Sequence, residues 1–306
     1  MLSLQLFLGK MLCMDNINQI IKNHLNSNTA FYAYRLPESN DVHLNTIASV
    51  SPFDLTFLDA PQTTNGFVMY PFDTTTEPAW FFSNHETTVI SQKKVTTDST
   101  DYSPGKANPE ETHDFYDYSK QFAAMQQALT KGEVEKVILS RALPVNKNLI
   151  PALPVIFEHL LVRYPKAFVF MVSTPQTGIW TGASPELLFS GQNGTCTTVA
   201  LAGTRTHDAA YKSWTQKEIE EQGLVSNFID NALNKFNITD YTKNGPEISK
   251  AGNLTHLKTT YIFDSPPSFK LAQFVKALHP TPALCGEPKT KAMHLIRSIE
   301  KHNRSY

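Results

Sequence analysis

The sequence predicts an α+β protein built on large sheets, and three observations carry that expectation. β-prone runs come in blocks, one before residue 92 and one after residue 132. Apolar residues at helical spacing fall between and after those blocks rather than alternating strand by strand. The composition is that of a folded chain: 306 residues, 41 % hydrophobic and 18 % charged, too apolar for disorder and long enough for one large domain or two ordinary ones.

The elements follow in chain order. Met14-Asp15-Asn16 reads as a cap entering the amphipathic stretch Ile17/Ile20/Ile21/Leu25, and Met11 and Met14 are alternative starts. The preceding apolar run, Leu2 to Leu8, lacks a positive n-region and a small-x-small site, so it does not read as a signal peptide. Ala30–Tyr34, Gly66–Tyr70 and Trp80–Ser83 read as short strands. Gln92–Thr112, polar and holding two prolines and one glycine, reads as a surface loop. Phe115, Tyr118, Phe122, Met125 and Leu129 recur at spacings of 3 and 4 and mark one helix face, with Gly132 as its stop. Glu133–Leu143, Ala167–Thr174, Glu186–Ser190 and Thr197–Leu201 read as strands, and Gly191-Gln192-Asn193-Gly194 as a hairpin turn. Ile219, Gln222, Ser226, Ile229, Leu233 and Phe236 mark a long helix, and Phe269–Leu278 and Pro288–Lys301 two more.

Charge and cysteine content exclude several classes. With 27 Lys+Arg against 28 Asp+Glu, the formal net charge of −1 gives no general pull toward nucleic acid or an anionic membrane. No later stretch approaches the ~18 apolar residues of a membrane span. Cys13, Cys196 and Cys285 are odd in number, far apart and without a Cys-x-x-Cys, which argues against a disulfide framework or structural zinc. A reducing, cytoplasmic setting is expected.

Four segments place polar residues where packing alone would not. In Val134–Arg141, a strand would put Lys136 among apolar neighbours on both faces, and desolvation would move its amine toward a general base. An edge-strand lysine with its stem on the sheet and its amine in water explains the same pattern. In Gly182–Leu188, Pro185 precedes Glu186 at a strand mouth; a carboxyl there can donate a proton, or simply be solvated. Leu201-Ala202-Gly203-Thr204-Arg205 offers backbone N–H groups, a hydroxyl and a charge to an anion, or forms an ordinary turn. Glu218 and Glu221 share a helix face, which suits Mg²⁺ held by one or two carboxylates; the helix dipole also favours acids at a helix start. His256 reads by default as a structural histidine, and His279–Gly286 as a rigid connector able to shape a pocket wall.

Together these stretches resemble the chorismate-utilising enzymes: isochorismate, salicylate, anthranilate and aminodeoxychorismate synthases. The matching runs are EKVILSR, GASPELLF, LAGTR, KEIEEQGLV, HLKT and LHPTPALCGEPKTKA, between Phe115 and Tyr306. The resemblance implies an anthranilate synthase component I-like fold, with large antiparallel β-sheets and helices packed outside. It implies a single chorismate-binding domain over 1–306. Residues 1–111 match weakly, chiefly at Gly66–Phe72, and 112–306 form the catalytic part. Water-adding members of the family carry a lysine where Lys136 stands, whereas anthranilate synthases have glutamine. Aminodeoxychorismate synthases have a lysine in place of Ala202. The branch implied is isochorismate synthase, with Lys136 deprotonating the water that attacks C2 of chorismate and Glu186 protonating the departing C4 hydroxyl. Glu221, with Glu218 one turn earlier, is implied as the Mg²⁺ ligand, although Gln222 replaces the histidine usual after that glutamate. Gly203, Thr204, His256, Ala283 and Leu284 match substrate-pocket positions.

No glutaminase subunit is expected, because water needs none, and neither is a nucleic-acid or membrane partner. Salicylate synthase, which uses the same lysine and glutamate and then eliminates pyruvate, is the nearest alternative. A fragment that binds chorismate or nothing, without catalysis, is the alternative of another class. The family pattern continues past the position of Tyr306 with a glycine-rich turn and strands bearing an arginine for the substrate carboxylate. A helix with a second metal-binding glutamate follows. The resemblance therefore implies a domain incomplete at its C-terminus, with little or no activity in the chain as written.

Overall fold

The computed structural model describes residues 17–60, 65–91, 111–142, 147–206 and 213–306. The expected loop at Gln92–Thr112 lies outside the described residues except for Glu111 and Thr112, which open a helix. The run Leu2–Leu8 and Cys13 also lie outside them.

α1 (Ile17–Asn26) leads into β1 (Phe31–Arg35), β2 (Asp41–Pro52), β3 (Gly66–Met69) and β4 (Trp80–Ser91). α2 (Glu111–Thr130) precedes β5 (Lys136–Val137). α3 (Leu153–Arg163) is followed by β6 (Phe168–Thr174), β7 (Gly178–Ser184), β8 (Ser190–Gln192) and β9 (Thr195–Thr206). Then come α4 (Gln216–Lys235), β10 (Thr242–Ala251), β11 (Leu254–Asp264), α5 (Leu271–Leu278), β12 (Gly286–Glu287) and α6 (Lys289–Ile299).

The strands form a six-stranded sheet in the order β3-β4-β2-β1-β6-β7, a four-stranded sheet in the order β10-β11-β9-β8, and a short ladder of β5 with β12. The pairings are antiparallel throughout. The α+β architecture with large antiparallel sheets is therefore as the sequence predicts.

Alternation along the strands decides what each face meets. Phe31 and Ala33 of β1 point to one side with Val42, Leu44, Val169 and Met171, where Ile17 and Ile21 of α1 and Phe157 and Leu161 of α3 cover them. Arg35 is buried at the end of that face. It donates to the carbonyls of Leu161 and Tyr164 (2.5 Å each), satisfying the C-terminal end of α3. In β11, Thr255, Leu257, Thr259, Tyr261 and Phe263 point inward in strict alternation. α4 lies over the four-stranded sheet through Gln222, Val225, Ser226, Ile229, Ala232 and Leu233, spaced as one helical stripe. Each of its large apolar side chains contributes about 1.5–3 kcal/mol by burial. The polar members are paired: Gln222 Nε2 donates to Thr259 Oγ1 (2.8 Å) and Ser226 Oγ to Gln222 Oε1 (3.2 Å).

Four sequence expectations need correction. Among the described residues, which end here at Ala142, the strand expected over Glu133–Leu143 shrinks to Lys136–Val137, because its partner β12 is only Gly286–Glu287. One bond on each side extends the pairing, Glu135 N to Glu287 O (2.8 Å) and Ile138 N to Cys285 O (3.0 Å). Beyond that, the Ser140 N–H turns to the Glu300 carboxylate instead of a strand (2.7 Å). The strand expected at Glu186–Ser190 is also displaced. β7 ends at Ser184, Pro185 has no N–H to continue a ladder, and pairing resumes only at Ser190. The helix face of α2 is real but only partly covered: Met125 is buried, while Phe115 and Phe122 are 62 % and 50 % exposed. Ile219 likewise lies off the buried stripe of α4. Strands β2, β7, β10, β11 and β12 and helix α3 have no counterpart in the sequence reading; β11 runs through His256, whose segment reads as a loop in the sequence.

The β5–β12 ladder depends on Gly286. A Cβ there would sit 2.2 Å from the Lys136 carbonyl oxygen and 2.8 Å from the Ala292 Cβ, and its φ of +139° disfavours any other residue. Gly286→Ala is expected to destabilise the fold by about 1–3 kcal/mol or more, measured by denaturant unfolding. An unchanged midpoint would contradict this tight approach.

Candidate active site

Lys136 sits on β5, whose neighbours Val134, Val137 and Leu139 pack into the cluster of Met125, Ala128, Cys285, Ala292 and Ile296. Its side chain is only 7 % exposed, and its Nζ donates to Glu221 Oε1 on α4 at 2.9 Å. The expectation of a desolvated lysine therefore holds in geometry, and its amine has a carboxylate partner rather than open water.

Glu186 lies in the irregular connection after β7. It is partly exposed, yet the protein crowding its carboxyl pushes its pKa upward. Two weaker influences oppose that rise. One is the hydrogen bond from Thr281 Oγ1 to Glu186 Oε1 (3.1 Å), and the other the positive charge of Lys136. The charge of Lys136 thus acts on Glu186 as the weakest of these influences. Thr281, itself buried, belongs to the loop that carries Ala283 and Leu284. Leu284 N and Cys285 N both donate to the Thr281 carbonyl (3.1 and 2.9 Å), closing the loop into a tight turn. Sequence reading named Ala283 and Leu284 but missed Thr281. Its only signal was a lone hydroxyl between two prolines.

Gly203, Thr204 and His256 form the other side of the α4 N-terminus. In the β9–β11 pairing His256 opposes Thr204 and Leu257 opposes Ala202, so Gly203 is the extra residue of a β-bulge. With φ +68° and a virtual Cβ 3.0 Å from the Glu218 carbonyl, Gly203 lets β9 press against the first turn of α4. Thr204 Oγ1 and His256 Nδ1 are 2.9 Å apart, and burial lowers the His256 pKa, favouring a neutral ring. The default structural role for His256 thus has a partner, and that partner is another predicted pocket residue.

The two α4 carboxylates differ. Glu218 closes a capping box: it accepts from Thr215 N (2.9 Å) and from the Thr215 hydroxyl, and those bonds hold its pKa below the usual range. Its carboxylate is committed to the helix end. Glu221 lies about one turn further on and bonds Lys136. Among the described residues, no three His, Cys, Asp or Glu side chains cluster to hold a metal ion by themselves. The donor set suits a hydrated Mg²⁺ that takes one carboxylate, Glu221, plus waters and substrate oxygens; it does not suit an all-protein cage.

The groove between α2 and α4, ≈ 650 Å³ and lined by Leu129, Val134, Glu135, Glu220, Leu224 and their neighbours, contains neither Lys136 nor Glu186. Two sets of contacts hold the predicted residues: Gly203 to Glu218 and, along α4, Glu221 to Lys136; and Glu186 to Thr281, with the charge of Lys136 acting on Glu186. Such an arrangement can hold an anionic ring between a basic and an acidic group.

The sequence model of the family described as "Chorismate binding enzyme" matches residues 67–306. The vibriobactin-specific isochorismate synthase of Vibrio cholerae is 31 % identical over 183 residues, 56 % of this chain and 46 % of that protein. Isochorismate synthase EntC of Escherichia coli K12 is 26 % identical over 233 residues, 73 % of this chain and 58 % of its own length. The chain spans about half the length of the curated relatives it matches. Among solved structures, the menaquinone-specific isochorismate synthase MenF of Escherichia coli superposes with a TM-score of 0.65 at 16 % identity, covering 90 % of this chain and 74 % of that one. Anthranilate synthase component I of Streptococcus pneumoniae gives 0.55 at 16 %, covering 91 % and 77 %. At these identities the structural likeness shows the fold. No helix among the described residues is long and apolar enough to cross a membrane.

Proposed function

Because the chain belongs to the chorismate-binding enzyme family, we propose that it is an isochorismate synthase, converting chorismate to isochorismate. The observation that carries this reading is the buried Lys136 amine bonded to Glu221 on α4. Beside it we set Glu186, a carboxyl held by Thr281 and raised in pKa by burial, on which the charge of Lys136 acts. The relatives bearing the name isochorismate synthase support the same reaction.

In the proposed reaction Lys136 takes a proton from water as the water oxygen bonds C2 of the ring. The ring double bonds shift, the C4–O bond breaks, and Glu186 gives its proton to the departing hydroxyl. One water enters and one leaves, so the reaction is an isomerisation. Lys136 must offer its amine to the water to take the proton, and here its Nζ is bonded to Glu221 Oε1 (2.9 Å). The base role therefore requires the Lys136–Glu221 bond to open as the ring enters. Thr281 orients the acid. Thr204, Gly203 and His256 line the far side, with Ala283 and Leu284 on the loop. Mg²⁺ held at Glu221 would neutralise a substrate carboxylate beside an acidic helix face. The product is proposed to serve menaquinone or siderophore synthesis, in the cytoplasm and without a glutaminase subunit.

The test is incubation of chorismate and Mg²⁺ with the protein carrying the C-terminal strands and helix of the family pattern, followed by chromatography of the products. Isochorismate is expected. Salicylate with an equivalent of pyruvate would replace the reading with salicylate synthase. Binding of chorismate by calorimetry without turnover would reduce the chain to a binding protein.

A further inference from the structure

Resting on the assignment of Lys136 and Glu186, we propose that Arg304 is a positioning residue for that pair, although it touches neither. Its guanidinium is bonded on all sides. Nε donates to Glu300 Oε2 (2.8 Å), and Nη2 to Glu300 Oε1 (2.5 Å) and the Ile138 carbonyl (2.6 Å). Nη1 donates to the Leu284 carbonyl (2.7 Å), and the Phe72 ring lies beneath the guanidinium at 4.3 Å.

The two carbonyls belong to different halves of the site. Ile138 lies two residues beyond Lys136 on the same extended segment. Leu284 lies in the turn closed on Thr281, whose hydroxyl bonds Glu186. One rigid planar fork therefore spans from the strand of the amine to the loop that holds the carboxyl. Arginine is suited to this because its donors diverge at fixed angles. A lysine at 304 would keep the charge but could not hold both carbonyls in the same geometry.

Glu300 fixes the fork. Its side chain is 2 % exposed, and besides Arg304 it accepts from Ser140 N (2.7 Å) and Ser140 Oγ (3.0 Å). Burial alone would push its pKa up, but the bonds from Arg304 and Ser140 outweigh that and hold the carboxylate charged. The Glu300–Arg304 pair thus grips the Lys136 segment at two points, Ile138 and Ser140, and the acid's loop at one. The β5–β12 ladder sets the distance between the strands, and Arg304 sets where the turn leading into β12 comes to rest.

The test compares wild type with Arg304→Lys, and with Glu300→Gln as the milder variant should the first fail to fold. Hydrogen exchange read by mass spectrometry is expected to speed up in peptides covering 136–140 and 281–286 together, with β1 and β6 unchanged. For chorismate turnover, kcat is expected to fall roughly 10- to 100-fold with KM nearly unchanged, the signature of misplaced catalytic groups. Unchanged exchange in both segments, or loosening of one without the other, would overturn the proposal. So would a loss confined to KM. A wild-type chain that does not turn over chorismate would overturn the proposed function alone, since the exchange comparison decides the link by itself.

Discussion

Lys136→Ala is expected to lower kcat for chorismate hydration by about 100- to 10,000-fold, the range a positioned general base contributes. The fold should survive. Glu221, the partner left behind, keeps 33 % of its side chain exposed, so its carboxylate falls back on water and is not stranded in the core. Circular dichroism and the unfolding midpoint check that point. Lys136→Arg sharpens the test. Arginine can keep a charged bond to Glu221 but cannot give up its proton near neutral pH. If the amine is the base, arginine is expected to be as inactive as alanine. Recovery of wild-type kcat by arginine would show that the position supplies only positive charge.

Glu186→Gln is expected to cost a similar factor of about 100 to 10,000 in kcat, because glutamine cannot donate a proton to the leaving hydroxyl. Its pH behaviour separates this from a general loss of shape. Burial raises the Glu186 pKa, with Thr281 and the charge of Lys136 pulling it back in part. The acid form then persists to higher pH than for a free glutamate, and wild-type activity should fall on the alkaline side as that proton is lost. The glutamine variant should lack this limb. Stability gives a readout independent of turnover. A carboxyl whose folded pKa is raised stabilises the fold fully below its unfolded pKa and loses that contribution as pH rises through the folded pKa. Relative to wild type, Glu186→Gln should therefore gain in melting temperature from acid to neutral pH. A difference that is flat with pH would contradict the burial of this carboxyl.

The parts of the site legible in the sequence were those with local signals. Lys136 stood out as a cation among aliphatics, Glu186 as an acid after a proline, and Glu221 as the second of two acids on one helix face. The long helix was readable because Gln222, Ser226, Ile229 and Leu233 keep a helical period and all are buried. The parts that stayed hidden depend on partners far along the chain. The length of β5 is set by a two-residue strand some 150 positions later, which nothing in EKVILSR could reveal. β10 is exposed along most of its length, so Thr242–Ala251 has no apolar alternation to betray it. Glu218 read as a metal-facing acid, but an acid three residues after Thr215 also meets the pattern of a capping box, and that is where its carboxylate is spent. Thr281 and Arg304 gain their roles only through contacts spanning 95 and 166 residues.

The most direct test is turnover of chorismate in water enriched in ¹⁸O, with mass spectrometry and NMR of the product. Attack by a water that Lys136 deprotonates predicts isochorismate carrying one ¹⁸O, bonded at C2. Isochorismate without the label, or with the label at any other carbon, would contradict the account.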